Sequence, residues 1–133
     1  MPDRPWNLLE RTASFAEAVC GFTRQLPDTR EAQEAASQLR RAATGVAANY
    51  RAARRGRSQA EFIAKIGIVI EEADEAMYWL EYLAGTGIVP LDEVEPLRCE
   101  ASELVAIFTA AHKTAKANKG ERKRRRSPPK RRS

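Results

Sequence analysis

SQAEFIAKIGIVIEEADEAMYWLEYL, residues 58–83, decides the architecture. Ser58 followed by Glu61 is a helix start: a hydroxyl for one orphan N–H, with a carboxylate three residues on. Phe62, Ile66, Val69, Ile70, Ala73, Met77 and Leu80 then recur at steps of three and four. At about 100° per residue they fall on one face, and the alternation expected of a strand is absent. The spacing predicts a helix over 59–84, roughly 40 Å long at about 1.5 Å per residue. One apolar stripe of that length needs other helices to cover it.

The flanking sequence supplies them. Between the breakers Pro27 and Gly56, Asp28 with Glu31 forms a second start signature and predicts a helix over 29–55. Its inward face, Ala32, Ala36, Leu39, Ala43, Val46, Tyr50 and Ala53, is mostly small residues that permit close approach. Leu8, Thr12, Phe15, Val19, Phe22 and Leu26 predict a helix over 7–25. After the break from Gly85 to Pro90, Asp92 with Glu95 predicts a helix over 93–117, with Pro96 near its first turn. Leu97, Ala101, Leu104, Val105, Phe108, Ala111 and Ala115 face its core. Short connections between long helices force antiparallel neighbours. The expected fold is therefore all-α, an up-down antiparallel four-helix bundle over 1–118 with a disordered Lys/Arg-rich tail over 119–133.

Charge is divided unevenly along this frame. The chain has 133 residues with 23 Lys/Arg and 18 Asp/Glu, a net +5. Residues 119–133 hold nine of the basic residues and one Glu, so the body carries 14 basic and 17 acidic residues, a net −3. Within that acidic body, Leu39 to Ala60 contains six Arg and no carboxylate. Taking Arg40 as zero, Arg51, Arg54 and Arg55 lie at about 20°, 320° and 60°, one stripe beside the core face. Arg41, Arg57 and Lys65 flank it. Guanidinium forks match phosphate oxygens, so these seven are the expected folded contacts to RNA or DNA backbone. Lys123, Arg124, Arg125, Arg126, Lys130, Arg131 and Arg132 are the expected flexible ones. Without aromatic residues among them, the tail adds affinity and little sequence preference.

A second apolar face of the third helix carries Ile68, Tyr78, Trp79 and Tyr82, which predicts an oligomer interface. Glu71, Glu72, Asp74 and Glu75 read as a solvated or ion-paired face of the same helix. No run approaches the roughly 18 apolar residues of a membrane helix, and the amphipathic start lacks a signal pattern; a soluble cytoplasmic protein is expected. Chemistry-bearing residues are few: one His and two Cys. His112 is preceded at three residues by Thr109, not by the Glu of a di-iron Glu-x-x-His pair. Cys20 and Cys99 lie on outer flanks of different helices, and Cys99 and His112 differ in bearing by about 140°. Catalytic residues, metal ligands and cofactors are accordingly not expected, and the chain is read as a non-enzyme.

The segments RRAATGVAANYRAA (40–53), SQAEFIAKIGI (58–68) and EADEAMYWL (72–80) resemble the bacterial four-helix bundle family of 23S rRNA intervening-sequence proteins. That family looks related to the accessory variability determinant proteins of diversity-generating retroelements. The resemblance covers about residues 7–117. Many members carry Asn-Ile-Ala-Glu-Gly where this chain has Asn49, Tyr50, Arg51 and Ala52. The resemblance implies a bundle, a homopentamer arranged as a barrel, nucleic-acid association and, in the retroelement branch, a reverse transcriptase partner. The combined expectation is a homo-oligomeric bundle holding RNA or DNA by its backbone. The alternative is a protein-interaction adaptor whose Arg stripe docks an acidic partner.

Overall fold

Four helices and their short connections make up the computed structural model, which describes residues 7–126. They are α1 (Leu8–Thr23), α2 (Arg30–Arg54), α3 (Gln59–Gly85) and α4 (Leu91–Arg126). α2 packs between α1 and α3, and α4 between α3 and α1, while the backbones of the diagonal pairs stay apart and meet only through core side chains such as Tyr50 and Phe108. This is the ring order of an up-down bundle. Among the described residues no helix is long and apolar enough to cross a membrane.

The helix starts follow local chemistry, with two corrections. At α3, Ser58 Oγ accepts from the Glu61 N–H at 3.1 Å, and Glu61 Oε2 accepts from the Arg57 N–H at 2.7 Å. At α2 the cap is Thr29 and not Asp28: extended backbone at Thr29 (φ −96°, ψ 154°) aims its hydroxyl at the Ala32 N–H, 3.2 Å away. α4 begins at Leu91, directly after Pro90, so Asp92 is not its cap but lies in its first turn, facing the positive end of the helix dipole. Pro96 then lies inside the helix, where its missing N–H leaves the Asp92 carbonyl without its intrahelical donor. The α3–α4 turn passes through Gly87 at φ 77°, a left-handed conformation that a side chain would strain.

The far end of α4 differs most from expectation. The helix does not stop at 117; it continues through the basic segment to Arg126. A helix already nucleated upstream propagates through Lys, Ala and Arg, which are good helix formers, despite Gly120 and the run of like charges. An Arg125–Glu121 pair at 3.0 Å and cations in the last turn suit the dipole. Residues 127–133, with Lys130, Arg131 and Arg132, lie outside the described residues. Ala115 is the last buried position of α4, so the final eleven residues, all exposed, extend about 16 Å past it.

All seven expected α2 core positions are buried, together with Ala35 and Ala42. Ile66, Val69, Ala73 and Leu80 are buried on α3, while Phe62, Ile70 and Met77 border the core and Ala76 and Leu83 join it. The small face of α2 brings α3 close: a Cβ at Gly45 would stand 2.9 Å from the Glu72 carboxyl carbon. Burial there raises the pKa of Glu72, with Glu75 adding to the effect and Arg41 opposing it. Because the folded-state pKa is raised, ionising Glu72 opposes folding as the pH climbs through the carboxylate range. α1 is fastened to α4 by Arg11, whose fork meets Glu100 at 2.7 and 2.9 Å and also reaches Glu103.

Candidate nucleic-acid interface

The C-terminal turn of α2 and the N-terminal turn of α3 form one end of the bundle. Arg51, Arg54 and Arg55 are exposed on that last turn, and Arg57 is exposed in the connection to α3. The α4 extension overhangs the same end. Gln59 Nε2 donates to the Ala115 carbonyl at 3.3 Å, fixing the start of α3 to the point where the extension leaves the bundle.

The structure thus gathers some of the expected contacts and separates others. Arg40 shares a bearing with Arg51 but lies about 16 Å further along α2, and it is half-buried. Arg41 is close enough to Glu72 to lower its pKa, placing it mid-bundle. Lys65 is half-buried two turns into α3. Lys123, Arg124, Arg125 and Arg126 are exposed on the helical extension. Among the described residues the ion pairs are made by Arg11, Arg30, Arg98 and Arg125. None of the seven expected folded contacts is neutralised by a carboxylate in this way.

Two residues not singled out in the sequence belong here. Lys119 and Arg122 join Lys123 and Arg126 on one wall of a cleft of about 580 Å³, and Arg57 to Ala60 form the other wall. A shallower hollow of about 480 Å³ adjoins it, lined by Arg54, Arg57 and Phe62 among others. The signal was available: Lys119, Arg122 and Arg126 continue the three-and-four spacing of the α4 core positions beyond Ala115. Five cations line the larger cleft and no carboxylate does. Phosphate oxygens are the complementary chemistry.

The second apolar face of α3 is divided. Ile68 and Tyr78 are exposed, at 36% and 55%, whereas Trp79 and Tyr82 are half-buried against the core. The Trp79 ring stands edge-on to Tyr78 and Tyr82, with centroids 5.0 and 5.4 Å away. Tyr82 Oη donates to Glu31 Oε1 at 3.1 Å, a bond that raises the phenol pKa. Trp79 Nε1 is buried without an acceptor. These two rings border a cleft of about 400 Å³ between α2 and α3, with Glu31, Glu34 and Gln38 on its α2 side.

Elsewhere, Cys20 and Cys99 are free thiols. Cys99 Sγ donates to Glu95 Oε1 at 3.3 Å, and that bond raises its pKa, holding the thiol protonated. His112 lies against α3, its Nε2 3.7 Å from where a Cβ on Gly67 would stand. No group of three His, Cys, Asp or Glu converges as a metal-ligand set among the described residues.

Comparison with known proteins adds two findings. The family model described as 23S rRNA-intervening sequence protein matches residues 6–110. A crystal structure from Bacteroides thetaiotaomicron, a protein with unknown function from the S23 ribosomal protein family, is 27% identical with a TM-score of 0.74. That similarity covers 79% of this chain and 97% of the other. Among curated proteins none matches. The basic extension beyond residue 110 lies outside the family match.

Proposed function

Because the chain belongs to the 23S rRNA-intervening sequence protein family, we propose that it is a non-enzymatic nucleic-acid-binding bundle working in the cytoplasm. It holds RNA or DNA by the sugar–phosphate backbone. The observation that carries this reading is the cationic end of the bundle: Arg51, Arg54, Arg55 and Arg57 beside the basic extension of α4, with Glu121 the one acidic residue between positions 104 and 126. Phosphates supply the counter-charge, and contacts of this kind orient a strand without reading its bases. Copies of the chain associate through the face bearing Ile68 and Tyr78, bordered by Trp79 and Tyr82, which multiplies the cationic end and raises avidity. An acidic protein partner, such as a polymerase surface, is the competing occupant of the Arg cluster.

Fluorescence anisotropy with a labelled single-stranded RNA tests this reading, and light scattering on the same samples gives the assembly. Binding weakens steeply as salt rises, because each neutralised phosphate releases condensed counterions. The particle mass is several times the 14.9 kDa of one chain. Absence of RNA binding at low salt, or binding indifferent to salt, contradicts the reading; a 14.9 kDa particle contradicts the assembly.

A further inference from the structure

Along α4, Ala101, Leu104, Phe108 and Ala115 are buried on the line that faces the rest of the bundle. The same spacing beyond Ala115 places Lys119, Arg122 and Arg126 on that line, with Lys123 beside it. The inward stripe therefore changes from apolar to cationic where α3 begins and Gln59 grips the Ala115 carbonyl. Past that level the cations look across the bundle end onto Arg57 and the first turn of α3. That turn presents its own partial positive charge, countered in part by the Glu61 carboxylate, which accepts from the Arg57 N–H and does not line the cleft.

Such an arrangement repels itself. Like charges at i, i+3, i+4 and i+7 disfavour a helix, and Arg57 with the α3 dipole adds a further cation and the same sign opposite. Glu121, the one acid of the extension, pairs with Arg125 to the side and does not line the cleft. The side chains lining the cleft are cationic or neutral, so an anion held there relieves the repulsion. We propose that this cleft is a phosphate clamp, in which a nucleic-acid backbone lies between the α2–α3 connection and the α4 extension and bridges Arg57 to Arg122 and Arg126. The inference rests on the nucleic-acid reading and adds the place, the orientation and two residues, Lys119 and Arg122. The extension is then a gripping arm of fixed geometry, distinct from a charge-only tail.

Equal-charge variants of the full chain test it. R122Q/R126Q removes two cations from the cleft wall, and R124Q/R125Q removes two that do not line it. Against a labelled oligouridylate, the first pair lowers affinity about tenfold, and the second, which loses only its share of the charge, about threefold. Arg57→Gln, on the opposite wall and outside α4, reproduces a loss in the direction of the first pair. Equal losses from the two double variants, or an unaffected Arg57→Gln, overturn the clamp while leaving the nucleic-acid reading in place. If the wild-type chain binds heparin but not RNA, the nucleic-acid reading falls and the phosphate clamp with it, whatever the two double variants do on heparin. Binding to neither overturns both.

Discussion

Deleting residues 119–133 weakens RNA binding at least about tenfold and flattens its salt dependence, since nine cations leave with the segment. Replacing Arg51, Arg54 and Arg55 with Gln in the shortened chain then removes most of what remains, for a combined loss above about a hundredfold. The fold survives both changes. Ala115 is the last buried residue of α4, and the three arginines are exposed, so each substitution costs within about 0.5 kcal/mol. Thermal unfolding run beside the binding titration separates loss of contact from loss of structure. If the shortened chain binds RNA equally well with and without the three arginines, the α2 end is not a nucleic-acid surface, and the acidic-partner reading takes its place.

Phe108→Ala lowers folding stability by about 3–5 kcal/mol. Phe108 is fully buried on α4, and its ring packs on Tyr50 of α2 with centroids 5.1 Å apart. Truncation leaves a cavity lined by long helices that cannot close on it, and it removes the aromatic contact as well. Against a typical total of about 5–15 kcal/mol this is a large fraction, and it depresses the melting temperature by roughly 10 °C or more. Tyr50→Phe keeps the ring and the packing, so its cost stays below about 1.5 kcal/mol. Denaturant unfolding of the two variants checks the difference. A Phe108→Ala loss below about 1 kcal/mol would mean that this end of the bundle is not close-packed.

The bundle was legible because its breakers and its three-and-four periodicity agree: Pro27, Gly56 and the Gly85–Pro90 stretch separate the helices, and the apolar faces fill them. Three features were not. A dense run of Lys and Arg reads as a solvated tail when judged by composition, yet propagation from an established α4 carries it to Arg126. Bearings around a helix fix azimuth but not height, so Arg40 and Arg51 share a stripe while lying about 16 Å apart. The cluster at the bundle end forms instead between elements, where Arg57 faces Lys119 and Arg122 across one cleft, and no single-helix projection shows that. Trp79 and Tyr82 stand off the α3 core line by bearing. The small residues of α2, Ala35 among them, bring the helices close enough to half-cover both rings.

Hydrogen exchange of the backbone amides, compared with and without saturating single-stranded RNA, tests the central claim most directly. The account predicts added protection over residues 51–60 and 116–126, where the α2–α3 connection and the α4 extension meet, and none over the α3–α4 turn from Gly85 to Leu91 at the opposite end. Protection centred on that turn, or no change at the cationic end while RNA is bound, would contradict it.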